Sequence, residues 1–206
     1  MFEDNESLVD YLKHMGYVND KVAEGMLKYP RELFLPNEQR KYAYADLPLL
    51  IGKEQTCSAP SMVGMMLSLA DIREGMNILE IGTGSAWQTA IISHIVGNDG
   101  RVVSVDIIEQ FIESARRRFT ELGIKNTIFL HCDGKLGAPQ FAPYDRIIVS
   151  ASSQNIYAPW KEQLKEGGII ILPMGPLFWQ YLYKGTKKNG EIYLEQLMPV
   201  AFVNLM

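Results

Sequence analysis

Cysteine is almost missing: the 206 residues hold two, Cys57 and Cys132, in no metal-ligand or redox spacing. That argues against a disulfide framework and suits a reducing compartment. Basic residues are the minority, twenty against twenty-four acidic ones, for a formal charge of −4. A nucleic-acid partner needs a basic footprint, and this balance offers none. The local cluster Arg116, Arg117 and Arg118 falls in a helical pattern and reads as a solvated face. No apolar run approaches the roughly 18 residues that span a bilayer. The opening "MFEDNESLVDYL" is acidic and lacks the apolar core of a signal peptide. The expected compartment is therefore the cytoplasm, with no membrane and no nucleic-acid partner. Repeats and low-complexity segments are absent too.

What is present is an ordinary globular composition, 47% hydrophobic and 21% charged, enough for one sizeable domain. The first part reads as two helices and a connector. "NESLVDYLKHMG" places Leu8, Tyr11, Leu12 and Met15 at helical spacing and ends on Gly16. "NDKVAEGMLKYP" has a cap in Asn19 or Asp20, an apolar face of Val22, Met26 and Leu27, and a stop at Pro30. From residue 76 short apolar runs alternate with amphipathic segments, from "MNILEI" to "GIIILPMG", with "IYAPWKEQLKEG" read as one of the helices. This predicts an α/β fold: a mostly parallel central sheet with helices on both faces. Asn189-Gly190 between β-rich runs predicts a closing antiparallel hairpin. The expected division is one domain: an N-terminal helical extension and connector over 1–57, an α/β core over 58–175, and C-terminal antiparallel strands over 176–206. His14, His94 and His131 each lie in a helix or strand pattern and are expected to be structural or superficial.

In an open α/β sheet, ligands bind beyond the carboxyl ends of the strands, at the switch point. Here that place is "LEIGTGSAW". Gly82 and Gly84 allow close backbone approach, Ser85 belongs to the same loop, and the following helix start offers free N–H groups. Asp106 ends the next strand, suited to ribose hydroxyls. A dinucleotide fingerprint requires a small residue at position 87, and Trp87 stands there. Glu80 enters the loop, an acid that would repel a pyrophosphate. A phosphate-free cofactor such as S-adenosylmethionine suits these residues, its cationic groups favouring carboxylates. Asp133-Gly134, after the third core strand, is placed to face adenine, although such a pair is often only a turn.

At "PRELFLP" (30–36), "YAYADLPLLIGKEQTCSAPSM" (42–62), "LEIGTGSAWQTA" (79–90), "DGKLGAPQFAPYDRIIVSA" (133–151), "QLKEGGIIILPMG" (163–175) and the terminal "PVAFVNL", the chain resembles the protein-L-isoaspartate O-methyltransferases. The resemblance runs in order over nearly the whole chain. It implies a Rossmann-like methyltransferase that uses S-adenosylmethionine, releases S-adenosylhomocysteine, and esterifies isoaspartyl residues of damaged proteins and peptides so that they return partly to aspartate. It implies cofactor contacts at Glu80, Gly82, Gly84, Asp106, Asp133 and Gly134, an active-site Ser58, and Gln55 and Thr56 lining the site, where they are expected to touch the cofactor as well. Four positions depart from the family pattern: Ser61 replaces a histidine, Cys57 an isoleucine or valine, Ala86 a glycine, and Cys132 the glycine before Asp-Gly. Ala86 is expected in an ordinary helical conformation, with φ below zero.

An isoaspartyl α-carboxylate, with pKa about 3.5, is already ionised at neutral pH and needs no general base. The protein must align it and exclude water. A serine hydroxyl at Ser58 suits that task, and Asp46 is a second polar candidate, or else a turn aspartate before Pro48. "KEQTCSAPSM" also reads as a helix start, with Ser58 as cap and Pro60 in the first turn. The terminal "PVAFVNL" is expected to offer an edge to an extended peptide. Two alternatives remain open at this point: a methyltransferase of the same fold with another acceptor, and a non-catalytic cofactor-binding descendant.

Overall fold

Two capped helices begin the chain, α1 (Asn5–His14) and α2 (Asp20–Lys28), in a computed structural model that describes residues 2–176 and 179–206. Asp4 caps α1 by accepting from the Ser7 N–H at 2.8 Å, and Asn19 caps α2 by accepting from the Val22 N–H at 3.0 Å. Their buried seams run through Leu8, Val9 and Leu12, and through Val22, Ala23 and Met26. Tyr11, Met15 and Leu27, expected on those faces, are exposed, because Val9 and Ala23 take their places.

Two 3₁₀ turns, Arg31–Phe34 and Asn37–Tyr42, lead into a small antiparallel hairpin, β1 (Leu49–Gly52) and β2 (Gln55–Cys57). Its turn residues Lys53 and Glu54 both hold positive φ, 52° and 58°. Neither is the glycine or asparagine that usually marks such a turn, so the pattern gave no hairpin signal. Helix α3 (Pro60–Ala70) follows.

The core then alternates as expected: β3 (Asn77–Ile81), α4 (Trp87–Val96), β4 (Arg101–Asp106), α5 (Glu109–Glu121), β5 (Thr127–His131), β6 (Tyr144–Val149), α6 (Ala158–Gln163), β7 (Leu164–Met174), β8 (Gln180–Lys188) and β9 (Glu191–Val200). The strands form one sheet in the order β5-β4-β3-β6-β7-β8-β9. Strands β3 to β7 run parallel, and β8 and β9 are antiparallel additions. The helix expected through residue 167 stops at Gln163, since Leu164 is buried in register with Tyr144 and the chain is already strand. The expected C-terminal part begins at residue 176, beside Leu177 and Phe178, which lie outside the described residues.

Strand side chains alternate between two apolar layers. Ile78, Val102, Ile148 and Ile171 pack with α1 to α5, whereas Leu79, Val103, Ile147 and Ile170 pack with Trp160 of α6. The sheet order reverses between β4 and β6, on either side of β3. A cleft opens there, beyond the carboxyl ends of the strands.

Candidate active site

The chain leaves β3 at Gly82 and turns to α4 through a run of positive φ: Gly82 at 94°, Gly84 at 50°, Ala86 at 65°. The Gly82 N–H donates to the Val105 carbonyl at 2.9 Å, and the Gly84 N–H donates to Oδ2 of Asp106 at 2.9 Å. The loop is thus folded over the end of β4 by the aspartate that terminates it. The expectation of a negative φ at Ala86 is overturned: it caps α4 in the left-handed region. Its N–H donates to the Thr83 carbonyl at 2.8 Å, and its methyl is fully buried, which fixes a conformation costing about 1–2 kcal/mol for a residue with a Cβ.

Asp106 keeps a nearly buried carboxylate, with Oδ1 accepting from the Ile108 N–H at 2.9 Å. Burial raises its pKa, opposed by the N–H groups of Gly84 and Ile108. Glu80 lies one layer behind. Its carboxylate accepts from Thr89 at 2.5 Å, Ser104 at 2.6 Å and the Gln88 amide at 2.9 Å. Full burial pushes its pKa up to about 7 despite these donors. On β3 its side chain alternates to the Ile78 face, toward the helices, so it is absent from the cavity wall. Gln88 does reach that wall and also donates to the Ser150 hydroxyl at 2.8 Å.

The cavity is a cleft partly open to solvent. It brings together Gln55, Thr56, Ser58, Gly82, Gly84, Ser85, Asp106 and Gly134. Two other expected residues stand outside it. Asp133 accepts from the Lys135 N–H at 2.9 Å, closing a 3₁₀ turn, while Gly134 forms the wall; a Cβ at Gly134 would lie 2.6 Å from Cγ2 of Ile81. Asp46 is exposed and accepts from the Ser61 N–H at 2.9 Å. The cap of α3 therefore comes from Asp46 across the chain, and Ser58 caps nothing; Pro60 does occupy the first helical position. No Lys, Arg or His lines the cavity among the described residues.

Behind Ser58 sits Arg31, which sequence reasoning missed as a site residue. Its guanidinium is fully buried and donates to the carbonyls of Ala43, Ala45, Leu47, Cys57 and Ser58 at 2.9–3.3 Å. It also lies 5.6 Å from the Trp87 ring. One cation thus pins the connector, β2 and α4 together. The signal was a single basic residue between the apolar and proline positions of "YPRELFLP". Trp87 itself donates from Nε1 to the Tyr29 carbonyl at 2.8 Å, joining the helix after the loop to the N-terminal layer.

The C-terminal segment closes the remaining side, with Val203 to Met206 in the wall. The Ser152 N–H donates to the Val203 carbonyl at 2.7 Å and the Leu205 N–H to the Ser152 carbonyl at 2.8 Å. Of the histidines, His94 packs on Tyr29, its pKa lowered by burial and by nearby Lys28, and His131 is exposed near Ile107. None reaches the cavity wall.

A Protein-L-isoaspartate O-methyltransferase from Dictyoglomus turgidum is 45% identical over 200 residues, covering 97% of this chain and 90% of that one. One from Pyrococcus abyssi is 43% identical over 209 residues, covering 100% and 96%. A solved structure of the same name superposes with TM-score 0.90 at 35% identity, over 97% of this chain and 65% of that chain. A putative one from Plasmodium falciparum, in complex with S-adenosyl-L-homocysteine, shares the fold at TM-score 0.88 and 24% identity, over 100% and 99%. Matched from residue 3 to residue 206, this chain belongs to the protein-L-isoaspartate(D-aspartate) O-methyltransferase family.

Proposed function

We propose that the chain methylates the free α-carboxylate of L-isoaspartyl residues in damaged peptides and proteins, with S-adenosylmethionine as donor and S-adenosylhomocysteine as product. The observation that carries this reading is the charge pattern of the cavity's side chains: one acidic side chain, Asp106, a glycine loop, and no cationic side chain among the described residues. A pyrophosphate would find no counter-charge there. A ribose with a sulfonium fits. Asp106 would accept from the ribose hydroxyls, the Gly82–Ser85 backbone would lie against the amino-acid portion, and Gly134 would flank the adenine. Asp133 supports Gly134 from behind, and Glu80 orients Gln88 toward the cavity. When bound, the cofactor supplies an electrophilic methyl group.

The remaining work falls to the opposite wall. The acceptor is already an anion, so the wall needs no base and holds no histidine. Ser58, whose carbonyl is fixed by Arg31 at 2.9 Å, offers its hydroxyl to orient the carboxylate, with Thr56 and Gln55 beside it. Asp46 acts on the site through the start of α3 rather than by contact. The Val203–Met206 segment excludes water and offers backbone to an extended peptide. The acidic balance supports peptide over nucleic-acid acceptors and, with the cysteine usage, a cytoplasmic setting; no helix among the described residues is long and apolar enough to cross a membrane. The test is labelled methyl transfer to a synthetic isoaspartyl peptide beside its aspartyl twin. Transfer to the isoaspartyl form alone is expected. Transfer to neither, with cofactor binding intact, would reject the reading.

A further inference from the structure

Asn189 and Gly190 join β8 to β9 as a two-residue loop, both at positive φ, 52° and 77°. This is the type I′ geometry that Asn-Gly favours. The same dipeptide is chemically fragile. The glycine nitrogen, once deprotonated, attacks Cγ of the asparagine. A C–N bond forms, the bond to the side-chain nitrogen breaks, and ammonia leaves with the displaced proton. Water then opens the succinimide at either carbonyl, giving aspartate or isoaspartate. Both residues are exposed, so neither burial nor dryness protects them.

One neighbouring side chain bears on that nitrogen. Glu166, near the start of β7, accepts from the Asn189 N–H through Oε1 and from the Gly190 N–H through Oε2, the latter at 3.1 Å. The Gly190 nitrogen is the nucleophile of the reaction. Turning it toward the Asn189 side chain breaks a charge-assisted hydrogen bond. Removing its proton places a second negative charge beside the carboxylate. Both effects oppose ring closure.

We infer that Glu166 guards the Asn189–Gly190 turn against succinimide formation, making Asn189 a modification site held latent by one carboxylate. A side-chain carboxylate on backbone N–H groups at a helix start has a comparable strength, which here corresponds to roughly a three- to tenfold change in rate.

The test incubates the purified full-length protein, Glu166→Gln and Glu166→Ala at neutral pH and physiological temperature. A synthetic peptide of residues 185–194 runs alongside. Deamidation is read from the mass of the proteolytic peptide containing the turn and from ammonia release. Both variants are expected to deamidate at Asn189 about three- to tenfold faster than wild type, with the other asparagines unchanged, and the free peptide faster still. Equal or slower loss in the variants overturns the inference. So does acceleration shared by all asparagines, which reports general loosening, or a wild-type turn that reacts as fast as the peptide. Glu166→Gln keeps the side-chain shape and carries the test if the alanine variant does not fold.

Discussion

Arg31→Met is expected to lower stability by about 4 kcal/mol and to spoil the acceptor side of the cleft while sparing the cofactor side. The guanidinium is fully buried and serves five backbone carbonyls, from Ala43 to Ser58. A hydrogen bond to a charged group contributes about 1.5–3 kcal/mol, so the five amount to about 8–15 kcal/mol gross. Burying the charge costs several kcal/mol in return. The Leu47 and Ser58 carbonyls, at part-buried contacts, regain some water once the arginine is gone. The difference is about 4 kcal/mol, a large share of the 5–15 kcal/mol that keeps a domain folded. Arg31→Lys keeps a charge but offers three hydrogens from one point, which cannot span both segments, and should lose about half as much.

The assay has two parts. Urea unfolding gives the stability difference, and steady-state kinetics on an isoaspartyl peptide, beside calorimetric titration with S-adenosylmethionine, separates the two walls. The expected signature is a fall in kcat/KM for the peptide with a cofactor Kd within about threefold of wild type, because Asp106 and the glycine loop make no hydrogen bond to Arg31. A methionine variant within about 1 kcal/mol of wild type, with unchanged peptide kinetics, would refute the reasoning.

Four further outcomes follow from the same geometry. Glu80 titrates near 7 in the folded protein against an ordinary value of 4.5, so the folded state holds a proton that the unfolded chain releases. Stability should therefore fall as pH rises between about 4.5 and 7, by about 3 kcal/mol at most, and Glu80→Gln should flatten that slope in urea titrations on either side of the window. For Ala86→Gly, relief of about 1–2 kcal/mol of left-handed strain is offset by a lost buried methyl and added unfolded-state entropy. Its melting point should barely move, whereas Ala86→Val should lose at least about 2 kcal/mol; a valine variant melting like wild type contradicts the positive φ. Asp106→Asn should weaken S-adenosylmethionine about tenfold or more, since a charged acceptor becomes a neutral amide, and an unchanged Kd would remove Asp106 from the ribose. Ser58→Ala should lower kcat at least about tenfold with cofactor affinity intact, and full activity would exclude the hydroxyl as an orienting group.

The parallel core was legible because β3, β4 and β6 are covered on both faces and read as nearly unbroken apolar runs. The glycine loop was legible because strand, turn and helix follow each other within a few residues. Glu80 was harder. Its place in the order "LEIGTG" suggests the pocket, but strand alternation sends it to the helix side, where Thr89, Ser104 and Gln88 hold it. The β1–β2 hairpin was invisible because its turn uses Lys53 and Glu54, which advertise no positive φ. Asp46 and Arg31 act on residues 12 or more positions away along the chain, as in the Arg31–Ala43, Asp46–Ser61 and Arg31–Ser58 bonds. No local pattern encodes such pairings.

That difference separates the two walls of the cleft. The wall at Gly82–Ser85, Asp106 and Gly134 is made by strand ends and their immediate loops, whereas the wall at Gln55–Ser58 belongs to a connector tied down from a distance by Arg31 and Asp46. Two departures from the family pattern, Cys57 and Ser61, fall in or beside that connector. Cys57 stands where the pattern has an aliphatic residue, and its sulfur receives the Nε–H of Arg31 at 3.5 Å. An isoleucine or valine would leave that buried N–H without this partner, so the thiol fits the arginine as a soft acceptor and needs no redox role. Ser61 replaces a histidine at a position whose side chain is absent from the cavity wall and whose N–H is already taken by Asp46. Cys57 does line the cavity, between Thr56 and Ser58, so that departure changes a wall residue, whereas Gln55, Thr56 and Ser58 match the pattern.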